Sequence, residues 1–190
     1  MSQYQPWLYG ARCSECPLFH SGKTPVPPSG PLDADWVFVG EGPAKWEEVK
    51  GQTLVGPSGQ KLNEQLWKLG RRRDSVFTCN AMACRCEVPG ETGKRRFEVK
   101  SYMAYHRKQN VIRRKGGLAE IPSPLECCKP RLEYELKTLF AANQQRGTNL
   151  SVQPLGNFAL TQLKEIFGER IEGKMGSILR MRGSVLEVQL

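Results

Sequence analysis

The chain has little histidine, no long apolar run and no internal repeat. Only His20 and His106 occur among its 190 residues, so a metal site of three imidazoles is excluded. No apolar run is long enough to span a bilayer, and no charged-then-apolar N-terminus reads as a signal peptide. A cytoplasmic protein without membrane contact is the expectation. Acidic charge is scarce too: 28 Lys and Arg face 19 Asp and Glu, a net charge of +9. Such an excess favours a polyanionic partner, because each Lys or Arg that meets a phosphate releases counterions. The plainer reading is a basic protein with solvated charges. The length suits one domain with a real core.

What is present begins with cysteine. Cys13, Cys16, Cys79, Cys84, Cys86, Cys127 and Cys128 are an odd number in a chain too long for a disulfide scaffold. In a reduced compartment, clustered cysteines more often ligate metal. Cys13-Ser14-Glu15-Cys16 is a C-x-x-C, and Cys84 or Cys86 with Cys127 or Cys128 can complete a set of four. Four thiolates hold either a tetrahedral zinc or a [4Fe–4S] cluster, in which each iron takes one external soft ligand. The plainer reading is buried thiols packing as small hydrophobes. Cys79, inside a strand, reads as core.

The stretch Val37–Leu62 carries the strongest site signal. A strand (Trp36 to Val39) enters a Gly40-Glu41-Gly42-Pro43 turn, Glu47 and Glu48 follow, and a second glycine-rich turn (Val55 to Gly59) opens a helix. Glycine lacks a Cβ, so backbone can approach a ligand there. Ser58 is the expected cap of that helix, Leu62, Leu66 and Leu69 its apolar face, and Gly70 its stop. Ser75 to Cys79 reads as a second strand with Asn80 at its end. Residues 87–122 hold nine Lys and Arg against four Glu. This basic insertion, helical around Val99 to Val111, reads equally as a solvated surface or a nucleic-acid contact. Ser123-Pro124-Leu125-Glu126 is a capping box that starts a helix carrying Leu132, Leu136, Leu139 and Phe140. Leu150 to Leu155 reads as a third strand. Asn157 is the expected cap of a last helix with Phe158, Leu160, Leu163 and Phe167. Ser177 to Met181 and Ser184 to Leu190 read as a hairpin. Strands alternating with helices predict an α/β/α sandwich around a mainly parallel four-stranded sheet, in a single domain over 1–190.

The ordered motifs C-x-x-C-P-L (Cys13 to Leu18), V-G-E-G-P (Val39 to Pro43), E-E-x-x-G (Glu47 to Gly51), L-V-G-P-S-G (Leu54 to Gly59), N-A-M-A-C-R (Asn80 to Arg85), C-K-P-x-L-x-x-E-L (Cys128 to Leu136) and L-G-N-F-A (Leu155 to Ala159) carry a resemblance. The chain resembles the iron–sulfur uracil-DNA glycosylases, the family 4 type, from about Cys13 to its end apart from the insertion. The resemblance implies a monomeric base-excision-repair hydrolase that cleaves the N-glycosidic bond of deoxyuridine in DNA. It implies a [4Fe–4S] cluster on Cys13, Cys16, Cys84 and Cys128, with zinc as the alternative metal. It implies Glu41 and Glu47 as catalytic carboxylates, with Gly40, Gly42 and Pro43 wrapping the base. Asn80 would hydrogen-bond the uracil edge, since an amide offers both donor and acceptor.

Two departures stand out. Members usually carry Phe where this chain has Leu54, so apolar contact replaces a stacking ring. Members also carry a late His-Pro motif after an Arg-Gly turn. This sequence has Arg182-Gly183 and then ends at Leu190. The expectations are an N-terminal fragment, favoured by the apolar ending, or a natural short form lacking that loop. The runner-up function is therefore a non-catalytic iron–sulfur DNA-binding module of a replication or repair protein. A structural zinc protein is the third reading.

Overall fold

The computed structural model describes residues 4–89 and 98–168. Three strands are found among them: β1 (Trp36–Gly40), β2 (Phe77–Asn80) and β3 (Ser151–Leu155). They pair in the order β2-β1-β3, all parallel. The predicted hairpin, which would supply the fourth strand, lies outside the described residues.

The central strand β1 is apolar throughout, as a strand covered on both faces requires; β2 carries the buried Thr78 and Asn80, and β3 is half-buried with Gln153 exposed. In β1, alternate side chains divide between two cores. Val37 and Val39 face one side with Phe77 and Cys79. They meet Leu132, Leu136 and Leu139 of α5 (Pro124–Gln145) and Ala159, Leu163, Ile166 and Phe167 of α6 (Asn157–Phe167). Val99, Tyr102 and Met103 of α4 (Glu98–Lys115) join this side. Phe38 faces the other side, with Leu62 and Leu66 of α3 (Pro57–Lys68) and Val76. The result is the predicted α/β/α layering. Truncating a fully buried side chain such as Leu132 to Ala would cost about 2–5 kcal/mol.

Two expected caps shift by a residue or two. The N-cap of α3 is Gly56, with Pro57 at the first helical position and Ser58 inside the first turn. The N-cap of α6 is Gly156, so Asn157 is the first helical residue. Pro fits the first turn because its missing N–H has no partner there anyway. The capping box of α5 forms as the spacing predicts: Glu126 N–H donates to Ser123 Oγ (3.2 Å) and Ser123 N–H to Glu126 Oε2 (2.5 Å).

The N-terminal arm is irregular but tied down. Ser29 exchanges backbone hydrogen bonds with Thr78, which covers the outer edge of β2. A 3₁₀ turn (Pro6–Tyr9) and its αL residue Gly10 rest on Pro130 in the middle of α5. Pro130 cannot donate to the Glu126 carbonyl four residues back, and Arg12 Nη2 donates to that carbonyl instead (3.5 Å). Arg12 N–H also donates to Cys127 O (2.9 Å). A second 3₁₀ turn (Cys13–Glu15) and the short α1 (Pro17–His20) then place Cys13 and Cys16 beside the start of α5. Among the described residues, no helix is long and apolar enough to cross a membrane.

Candidate functional site

Gly40, Asn80 and Leu155 stand in register at the carboxyl ends of the three strands. Open parallel sheets bind ligands at this end, where loops diverge. The loop after β2 is tied to the loop after β1: Ala81 N–H donates to Gly40 O (2.8 Å) and Met82 N–H to Glu41 O (3.1 Å). The Asn80 side chain lies across Gly40. A Cβ at Gly40 would stand 2.2 Å from Asn80 Oδ1, so any larger residue there would push the amide aside. Gly42 faces Met82 and Val99 in the same way, each 3.3 Å from where its Cβ would be. The basic insertion therefore begins its helix directly against the first glycine turn.

Asn80 is 5 % exposed, and its Nδ2 has no hydrogen-bond partner. A buried amide left without an acceptor costs about 1–3 kcal/mol. Any group that brought an acceptor to this position, water or ligand, would recover that cost.

The two predicted carboxylates bond to backbone N–H groups. Glu41 Oε1 accepts from Phe158 N–H (3.1 Å), so the carboxylate sits on the N-terminus of α6, where backbone dipoles favour negative charge. Gly156 makes room for it: a Cβ there would lie 2.3 Å from Glu41 Oε1, and its φ of +114° suits glycine. Glu47, in α2 (Lys45–Lys50), is buried. Its Oε2 accepts from Ala44 N–H and its Oε1 from Gly56 N–H, both at 3.2 Å. One carboxylate thus stitches the first glycine loop to the second.

Leu54 lies at the start of the second loop with φ +53°, a left-handed backbone that non-glycine residues avoid. Strain of this kind costs about 1–3 kcal/mol and gathers at functional sites. Gly59 supports it, because a Cβ there would strike Leu54 O. The Leu54 side chain is half-buried and packs against the Phe38, Leu62, Leu66 and Val76 cluster.

The cysteines come together from three parts of the chain. Cys13 and Cys16 arrive on the arm, Cys84 on the loop after β2 and Cys128 on α5. Every pair among these four interacts electrostatically. Burial pushes the Cys13 thiol up to about 11, helped by Cys128 and Cys16. It also raises Cys84 strongly, and Cys128, the latter opposed by the Arg131 guanidinium. Cys16 and Cys127 lie close enough to share a proton, which lowers the Cys16 thiol and raises that of Cys127. Cys86 is fully buried against Met82 Sδ (3.7 Å), and Cys79 is core as predicted. Among the described residues, no three of these side chains close into ligating geometry. In chemistry the donor set suits a soft metal group: three buried sulfurs and the half-buried Cys13, drawn from three segments.

The sequence reasoning missed Arg131 and Glu135. Arg131 is 1 % exposed, and its Nη1 donates to both Glu135 oxygens at 2.8 Å. The available signal was an Arg and a Glu four apart on a helix face otherwise occupied by Cys128, Leu139 and other buried side chains. A separate cavity of ≈ 630 Å³ opens beside Ser29, Trp67 and Arg71–Asp74. None of the strand-end residues lines it.

Comparison with known proteins adds to this geometry. The family model described as the uracil DNA glycosylase superfamily matches residues 27–178, well over half the chain. Three similar proteins are each called type-4 uracil-DNA glycosylase. That of Thermotoga maritima is 42 % identical over 74 residues, 39 % of this chain and 38 % of its own. That of Pyrobaculum aerophilum is 38 % identical over 93 residues, 49 % of this chain and 46 % of its own. That of Archaeoglobus fulgidus is 40 % identical over 73 residues, 38 % of this chain and 37 % of its own. The chain therefore spans less than half the length of the relatives it matches.

Proposed function

Because the chain belongs to the uracil DNA glycosylase superfamily, we propose that it excises uracil from DNA by hydrolysing the N-glycosidic bond of deoxyuridine. The observation that carries the reading is Asn80: a buried amide, held over Gly40 at the strand ends, with Nδ2 awaiting an acceptor. Uracil O4 supplies that acceptor, and uracil N3–H supplies a donor for Oδ1. Cytosine reverses both. The glycosidic bond is unreachable inside a duplex, so the nucleotide is first extruded.

Departure of the base leaves an oxocarbenium-like sugar and an anionic uracil. Backbone N–H groups of the Gly40–Pro43 and Val55–Gly59 turns stabilise the developing anion. Glu41 is the catalytic carboxylate of this reading. Oε1 anchors it to α6, which leaves Oε2 to stabilise the sugar cation or orient water. Glu47, with both oxygens on backbone N–H groups, is a positioning residue that keeps the two loops in register. Gly42 and Pro43 shape the turn, and Leu54 offers apolar contact to the base. Cys13, Cys16, Cys84 and Cys128 would hold a [4Fe–4S] cluster. Its chemistry here is that of a soft cross-link between arm, loop and α5, and no step of the reaction passes through it. The outer face of α4 completes the reading as a contact to the DNA backbone.

The test is uracil release from an oligonucleotide with one deoxyuridine, read as alkali-labile strand breaks. The chain should yield breaks. Asn80→Ala, and Gly40→Ala, which pushes the amide aside, should each lower the rate about 10²-fold without loss of fold. If no breaks appear at high protein concentration while DNA still binds, the non-catalytic DNA-binding module replaces this reading.

A further inference from the structure

The backbone of Asn80 is gripped by a buried guanidinium. Where β2 ends, the carbonyls of Asn80 and Ala81 leave the sheet ladder. Arg131 Nη2 donates to both, at 2.5 and 3.1 Å. Its Nη1 is held by Glu135, and Glu135 Oε1 in turn accepts from Tyr4 Oη at 3.0 Å. Arg131 sits one helical turn after Cys128, and its charge opposes the upward shift of that thiol.

This arrangement is costly. A buried ion pair is often replaceable by apolar residues at no loss of stability. Arg131 Nε even remains without a partner. A planar fork with donors in fixed directions does give geometry: holding two successive carbonyls fixes the peptide plane from which the Asn80 side chain springs. We infer that Arg131 is a positioning residue for base recognition, fixing the direction of the Asn80 amide and linking it to the cysteine cluster through α5. The inference rests on the uracil reading of Asn80. It adds that discrimination between bases depends on a residue that does not touch the base.

Arg131→Met with Glu135→Leu removes both charges together, so no unpaired charge is left in the core. The double variant should fold and keep its cluster absorbance. Its kcat for uracil release should fall about 10–100-fold with KM within about threefold, as expected for a misplaced group. Its preference for an oligonucleotide with a non-cleavable deoxyuridine analogue over the deoxycytidine equivalent should narrow about tenfold. A folded, cluster-loaded double variant with native kcat and native preference overturns the inference. Should it fail to fold, Arg131→Lys carries the same readouts. Lysine keeps the charge but reaches fewer acceptors, so native preference in that variant is equally fatal. A parent protein that shows no preference for deoxyuridine overturns the uracil reading itself, which separates the two failures.

Discussion

At the residue scale, three charged side chains near the strand ends secure backbone. Glu41, Glu47 and Arg131 each bond to main-chain groups at loop or strand ends. Asp35, at the opposite end of the sheet, pairs with a side chain instead. It takes Arg71 Nη1 and Nη2 at 2.8 Å each, while Arg71 lies over the Trp36 ring, 4.3 Å from its centroid. The hydrogen bonds from Arg71 hold the Asp35 carboxyl below its ordinary value. A carboxylate lowered in the folded state contributes stability above its unfolded pKa of about 4, and loses it as pH falls through the lower folded value. The pair is about a third exposed (side chains 31 % and 34 %), so the gain is under about 1 kcal/mol. Asp35→Asn should therefore be slightly less stable than the parent at pH 7. Denaturant titrations should converge below about pH 4. A difference that persists undiminished in acid would assign the effect to packing instead.

At the element scale, the sequence was most legible where period and punctuation agree. The three strands and the capping box of α5 follow from short apolar runs between turns and from Ser-Pro-x-Glu. The caps of α3 and α6 were not legible, because Gly56 and Gly156 are fixed by Glu47 and Glu41, distant in sequence. The engagement of Arg131 with Asn80 was hidden for the same reason. Which cysteines gather also depends on the arm docking at Pro130. The insertion, ambiguous in sequence, proves amphipathic: Val99, Tyr102, Met103, His106 and Asn110 are buried, while Lys100, Arg107, Lys108 and Lys115 point outward. No acidic partner faces those four among the described residues. If they meet DNA phosphates, neutralising all four to Gln should flatten the dependence of log K on log salt by roughly 3 units, at about 0.7–0.9 per phosphate. Lys68→Gln with Lys137→Gln should leave the slope unchanged. An unaltered slope in the fourfold variant, measured on uracil-free DNA, would return α4 to the status of a solvated face.

At the scale of the whole molecule, the arm reaches the rest of the fold at separate points. Pro6–Tyr9 rests on α5, Arg12 bonds to Cys127 and Glu126, and Tyr4 bonds to Glu135. Several of the arm's large apolar side chains, Trp7, Leu8 and Phe19, are exposed. Burial there comes from smaller groups such as Ala11, Leu18 and Val26, and a metal group on the four proposed ligands would add to the attachment. Two lie on the arm, one follows the recognition strand and one lies on α5, so a metal group there closes loops of about 70 and 110 residues. Closing loops of that size limits the unfolded chain more than any single surface contact does. A cluster should absorb broadly near about 400 nm, whereas zinc would leave the protein colourless. Removing the metal by chelation under reducing conditions should lower Tm by several degrees or more. Amide exchange should quicken first in residues 6–20 and 81–86, before the β1–β3 ladder opens. Since 81–86 follows Asn80 directly, loss of uracil preference should accompany that loosening. If chelation leaves the exchange of both segments unchanged, the cysteines are buried thiols and the arm is held by packing alone.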